Sequence, residues 1–403
     1  MMEIQEISFR RVNRKILGTG FGIFSLYKYP AKFIPQVPAF VLENYAKRGM
    51  RVFDPFAGCG TVGYVARVYG FDYELWDLNP LLGYLHGVCE VGLMSLFLIE
   101  EIKACSLEFL PSWRNLSYWY PEEFLGILSR VWGFYHYLAD ECTKNFLLIP
   151  FLRLTKYFSY ADEKVHKLYK SRYAKKKVEG LLKQDYWKLF YYLLEKEFRR
   201  LNQKVAEYQS LKLQRVNYVV KAGVDVLEGE LEGMVNILIT SPPYLQAQEY
   251  IRSTKLELFW LGFDEDYIRR VSGKEIPYRE VPRIEVFSDT YYVYKDMIEE
   301  EHLLRLYENY FHAILFIFER LGERVSDYMF IFVGPAKVRG FEVPIHWIIV
   351  EHLDGKGGWE VERIYEDRIV SRVMYFLSRN PATGVENSRI DREYLIVLRR
   401  RGS

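Results

Sequence analysis

The chain has 403 residues, 50% of them hydrophobic and 27% charged, with a formal net charge of +2. That balance fits a globular protein long enough for one large domain or two, and excludes a disordered or fibrous chain. No apolar run reaches membrane-spanning length, the first residues do not read as a signal peptide, and Cys59, Cys89, Cys105 and Cys142 lack any CxxC spacing. A reduced, cytoplasmic protein is expected, with no disulfide framework, no metal and no membrane.

In chain order, residues 1–26 carry no clear pattern. Tyr27-Lys28-Tyr29-Pro30-Ala31-Lys32-Phe33 is a Pro-stiffened loop whose two lysines suit a carboxylate or phosphate as well as plain solvent. Val37, Phe40 and Val41 follow the helical period, predicting a helix over 36–48 with Gly49 beyond its end. A short strand over 50–53 runs directly into Asp54-Pro55-Phe56-Ala57-Gly58-Cys59-Gly60-Thr61, then a helix over 62–69. A second strand over 73–76 ends in Asp77-Leu78-Asn79-Pro80. Gly58 and Gly60 let backbone approach a ligand, the helix start after Thr61 favours an anionic group, and an acid ending the second strand can hold ribose hydroxyls. This strand–glycine loop–helix–strand–acid order reads as a nucleoside-cofactor site.

From 81 to about 213 the pattern is mostly helical, with helices expected near 93–107 and 121–137. Lys164, Lys167, Lys170, Arg172, Lys175, Lys176 and Lys177 interleave with Tyr169 and Tyr173, a composition that suits phosphates and exposed bases and also a solvated helix face. A strand over 218–221 is followed by Asp225, placed either to accept from an adenine amino group or to make a turn. The apolar run Val235-Asn236-Ile237-Leu238-Ile239-Thr240 stops at Ser241-Pro242-Pro243-Tyr244, a rigid corner whose carbonyls are free to accept and whose aromatic plate faces the strand's end. Residues 248–261 read as a helix carrying Tyr250, Arg252 and Lys255. Beyond it come a helix over 302–321, a strand over 328–333, a helix over 343–352, and strands over 359–365 and 393–398 that pair antiparallel. The stretch 372–389 reads as a long loop. Strands alternating with helices give an α/β fold with a mostly parallel sheet.

With both motifs in view, the sequence resembles the S-adenosylmethionine-dependent DNA amino-methyltransferases. Asp54 to Thr61 matches the family's cofactor motif, and Ser241-Pro242-Pro243-Tyr244 its catalytic motif in the form associated mainly with cytosine N4 methylation. The resemblance implies a Rossmann-like methyltransferase sheet with a terminal antiparallel hairpin strand, divided into a first part (1–90), a helical insertion serving as candidate DNA-recognition region (91–215), and a second part (216–403). It implies S-adenosylmethionine held by Lys32, Asp54, Pro55, Phe56, Gly58, Gly60, Thr61, Asp77, Asn79 and Asp225. It implies a cytosine flipped from double-stranded DNA into contact with Ser241, Pro242, Pro243 and Tyr244, and a DNA footprint including Tyr250 and Arg252. A cognate restriction endonuclease is the partner such enzymes have. The rival readings are adenine-N6 methylation of DNA and amino-methylation of an RNA base.

Overall fold

A computed structural model describes residues 4–12, 15–16, 18, 20–29, 32–164, 168–245, 249–338, 340–369 and 391–402. Within them lie ten strands: β1 (Ile4–Ile7), β2 (Arg51–Asp54), β3 (Asp72–Asp77), β4 (Tyr218–Ala222), β5 (Val235–Thr240), β6 (Val325–Val333), β7 (Ala336–Val338), β8 (Phe341–Val343), β9 (Trp359–Arg368) and β10 (Arg392–Arg400). Eight form one sheet in the order β1-β9-β10-β6-β5-β2-β3-β4, while β7 and β8 make a separate hairpin. Every pairing in the large sheet is parallel except the two made by β10, which runs antiparallel between β6 and β9. This is the expected α/β architecture, a Rossmann-like, mostly parallel sheet. The reversed strand lies inside the sheet, and the edge beyond β9 is closed by β1, a strand in the part of the sequence where no pattern is legible.

The strands are apolar on both sides because helices cover both. Side chains alternate across the sheet. Val52, Ile237, Ile239, Phe330 and Leu395 join the core on one face; Phe53, Leu238, Met329, Ile331 and Ile396 join the core on the other. The second face is covered by helices Glu301–Gly322 and Ile345–Gly355. The first carries helices Gln36–Asn44 and Thr61–Tyr69 together with the long segment between β3 and β4. Phe124, Trp132, Phe151, Phe198 and Tyr208 of that segment belong to the same buried cluster as Tyr64 and Val65. The Tyr208 hydroxyl donates to the Tyr64 carbonyl at 2.7 Å, tying the segment's last helix to the helix behind the glycine loop.

That segment is helical over Glu122–Tyr137, Glu141–Tyr157, Arg172–Leu182 and Tyr186–Gln209, the last three capped by Asp140, Ser171 and Asp185 accepting from backbone N–H groups. The helix expected over 93–107 is confined to Leu98–Ala104. Beyond it the chain runs extended across helix Glu122–Tyr137, where a side chain on Gly133 would collide with the Leu107 carbonyl. The helix expected over 248–261 is instead two short ones, Tyr250–Ser253 and Lys255–Trp260. They break at Thr254, whose hydroxyl accepts from the Asn79 amide at 3.0 Å. The expected loop 372–389 lies outside the described residues.

Candidate active site

Parallel strands bring the ends of β2, β3, β4 and β5 to one edge, and open α/β sheets bind ligands along that edge. One cleft of about 910 Å³, counted out to its open mouth, runs there. Its walls include Phe56, Gly58 and Thr61 from the glycine loop, Asp77 at the end of β3 and Asn79 just past it, Asp225 after β4, and all of Ser241 to Tyr244 after β5. The two motifs, remote in sequence, therefore share one cavity.

The glycine loop is shaped by backbone that other residues adopt only under strain. Gly58 and Gly60 have φ of 57° and 83°. A Cβ on Gly58 would sit 3.1 Å from the Tyr29 ring, so the close wall between loop and ring depends on its absence. The Gly58 N–H donates to Asp77 Oδ2 and the Asn79 N–H to Oδ1, both at 2.7 Å. Each carboxylate oxygen thus takes one backbone donor and keeps a lone pair for another. Burial pushes the Asp77 carboxyl up to about 6, against the pull of these bonds.

Asp54, Pro55 and Gly60 lie beneath the cleft rather than along its lining. Asp54 is 1% exposed and its Oδ1 accepts from the Thr240 hydroxyl at 2.6 Å and the Phe56 N–H at 3.0 Å, locking the loop after β2 to the end of β5. Burial lifts its carboxyl to about 7. Lys32 borders the cleft, but its ammonium donates to the Phe24 carbonyl at 2.5 Å and lies 3.5 Å from that of Tyr27. Asp225 is held by ion pairs to Arg279 and to Lys274 (3.3 Å), and accepts the Leu227 N–H. A ligand amine there would share an acceptor already in use.

At the other end, Pro242 is buried while Ser241, Pro243 and Tyr244 are half-buried on the cleft. The Tyr244 hydroxyl donates to Glu393 Oε1 of β10 at 2.7 Å. Burial, reinforced by that carboxylate, keeps the phenol protonated well above its usual range. The reversed strand therefore fixes the tilt of the ring at the corner.

The expected nucleic-acid contacts separate into groups. Arg172, Lys175 and Lys176 are exposed on helix Arg172–Leu182, with Lys177 turned inward to Glu163. Lys164 lies 3.9 Å from the Tyr173 ring, and Lys170 lies 3.7 Å from the Tyr160 ring. Lys167 lies outside the described residues, as do Pro30 and Ala31. Tyr250 lines the cleft, its ring stacked 6.3 Å from Tyr29, whereas Arg252 is on the surface paired with Glu249.

Sequence reasoning missed three contributors. Glu275 lines the cleft, is 7% exposed and accepts the Ile251 N–H at 3.0 Å; burial lifts its carboxyl to about 7. Lys274 and Glu393 complete the set, and none of the three stands in a local motif.

Among curated proteins, the chain is similar to "Type II methyltransferase M.MvaI" of Kocuria varians, 22% identical over 289 residues, or 65% of this chain and 61% of that protein. It thus spans less than two thirds of that relative's length. No protein-family profile matches the sequence. Among solved structures, "rRNA methyltransferase aviRa from Streptomyces viridochromogenes" aligns over 98% of this chain and 96% of its own at a TM-score of 0.34 and 9% identity, too loose a likeness to carry an argument.

Proposed function

We propose that the protein is an S-adenosylmethionine-dependent DNA methyltransferase acting on the exocyclic N4 amino group of a flipped-out cytosine, as the modification partner of a restriction endonuclease. The observation that carries this reading is the single cleft lined by both Gly58 and Pro242. The weak similarity to a type II methyltransferase supports it independently.

The residues present fit the cofactor. Asp77 keeps acceptor capacity for two ribose hydroxyls, and the space that a Cβ on Gly58 would fill lies against Tyr29. Asp54, Pro55 and Gly60 set the loop, Phe56, Thr61 and Asn79 wall the cleft, and Asp225 offers an acceptor at the adenine end. When bound, S-adenosylmethionine supplies an electrophilic methyl group on a sulfonium.

The amino nitrogen of cytosine is a poor nucleophile because its lone pair is delocalised into the ring. Ser241 and the Pro242 carbonyl accept its two N–H hydrogens, favouring a more tetrahedral nitrogen with the lone pair directed into the cleft. Positioning and fixed dipoles then supply the rate without a covalent enzyme intermediate. Tyr244 replaces the stacking that the base loses on leaving the duplex, and Glu393 holds that ring. The test is methylation of DNA with labelled cofactor, followed by digestion to nucleosides. Label in 4-methylcytosine is expected; label in 6-methyladenine, or only in RNA, overturns the base or the substrate.

A further inference from the structure

Beside the cleft mouth lies a second depression lined by Trp113, Tyr118 and Trp119 of the inserted segment and by Arg252 and Lys255 beyond the catalytic corner. Tyr250, which lines the cleft, stands between Glu249 and Arg252, which line this groove, so one helical turn separates the two.

The floor is a column of near-parallel rings. Phe259 stacks on Trp113 at 4.3 Å and 11°, and Trp113 faces Trp119 at 6.5 Å and 15°. Trp119 is half-buried and Tyr118 is 55% exposed, so the column ends at the surface. The Trp113 indole N–H is buried with no acceptor among the described residues.

The rim is cationic. Lys255 lies 5.7 Å from both the Trp113 and Phe259 rings, and Lys170 donates to the Tyr118 carbonyl at 2.9 Å. Arg252 lines the groove beside Lys255, Arg114 stands between Trp113 and Asn115 of its lining, and Arg269 lies one helical turn before Ser272 of the same lining. Their partners Glu265, Glu249 and Asp266 hold Arg114, Arg252 and Arg269 in pairs of 3.2, 2.7 and 3.3 Å, with arginine side chains 74%, 55% and 69% exposed. Exposed pairs are weak because water and salt screen them, so the arginines are readily released to a stronger anion. Cations around a stacking plate match a phosphodiester strand carrying bases.

We propose that this groove holds the DNA strand flanking the target base, with phosphates on Arg114, Arg252, Lys255 and Arg269 and a base or sugar face on Trp119. This rests on the reading of the cleft as a DNA methyltransferase site, and it gives the inserted segment a defined share of the substrate.

The test is equilibrium binding of a fluorescent double-stranded oligonucleotide across a salt series, beside binding of S-adenosylmethionine. The double variant Arg114→Glu/Arg269→Glu is expected to bind DNA about tenfold or more weakly at 50 mM salt, with the log–log salt slope reduced by about two. Trp119→Ala is expected to lose about three- to tenfold with the slope unchanged, and both variants should bind cofactor as the wild type does. DNA binding and slopes identical to wild type in both variants overturn the groove alone. A wild-type protein that binds cofactor but no DNA overturns the reading beneath it too, and tighter binding of an RNA duplex overturns the choice of DNA.

Discussion

The cleft and the groove meet at one helical turn and are built in opposite ways. The cleft is made of short motifs whose buried carboxylates are fixed by backbone N–H groups and one buried hydroxyl: the Gly58 and Asn79 N–H groups hold Asp77, and the Phe56 N–H and Thr240 hydroxyl hold Asp54. The groove is made of aromatic rings and long cationic side chains drawn from segments around 113–119 and 252–269, with Arg114, Arg252 and Arg269 in exposed and exchangeable pairs. Chemistry on a weak nucleophile needs dipoles that do not reorganise. Contact with a polyanion needs charges that can change partners. The two regions should therefore fail differently when altered.

The largest effect is expected at the corner. Tyr244→Ala should lower methyl transfer by more than about a hundredfold while cofactor affinity stays within about threefold, because base stacking is lost and the glycine loop is untouched. Equal loss of both would contradict the stacking role. Tyr244→Phe removes only the bond to Glu393 and should cost about tenfold.

Next is the loop. Gly58→Ala places a Cβ 3.1 Å from the Tyr29 ring at a φ of 57°. The left-handed backbone alone costs about 1–2 kcal/mol for other residues. Cofactor affinity measured by calorimetry should drop roughly five- to thirtyfold, and an unchanged affinity would remove this loop from the binding site.

The cleft's carboxylates give a pH signature of two opposite signs. Asp77 and Asp54 sit at about 6 and about 7 in the folded protein, above their unfolded values. The native state therefore binds more protons between about pH 4 and 7, and unliganded stability should fall as pH rises through that window. Cofactor affinity should move the other way, since ionised Asp77 is the better acceptor, climbing about tenfold from pH 5 to 7 in proportion to its ionised fraction. Asp77→Asn should flatten the affinity profile; a profile unchanged in that variant would contradict the assignment.

The smallest effect belongs to the basic helix. Lys175→Glu/Lys176→Glu leaves the inward Lys177–Glu163 pair intact and should weaken DNA binding by less than about threefold at 150 mM salt. A loss exceeding that of the Arg114/Arg269 variant would shift the footprint from the groove to that helix.

What the sequence makes legible follows the same division. Strand, glycine loop, helix and acid are adjacent in the chain, so local pattern places Asp54 to Thr61 and Asp77 correctly at a sheet edge. Ser241 to Tyr244 reads equally well, because a Pro-Pro pair ends a strand wherever it occurs. Glu393 and Glu275 join the site only through pairings 149 and 24 residues distant, which no local period carries. β1 escapes notice because four residues at a sheet edge, with Gln5 and Glu6 exposed, show no alternation; their partner is β9 at the far end of the chain. The helix end after Ala104 and the break at Thr254 likewise come from contacts made in the fold, with Leu107 crossing Gly133 and Asn79 reaching Thr254. Trp113 becomes a neighbour of Lys255 by the same means.

The central claim concerns a shared cavity, and co-crystallisation with S-adenosylhomocysteine tests it most directly. The expected result is a ribose on Asp77 with the thioether sulfur facing the Ser241–Pro242 corner. A ligand bound elsewhere, or one whose sulfur points away from that corner, would contradict it.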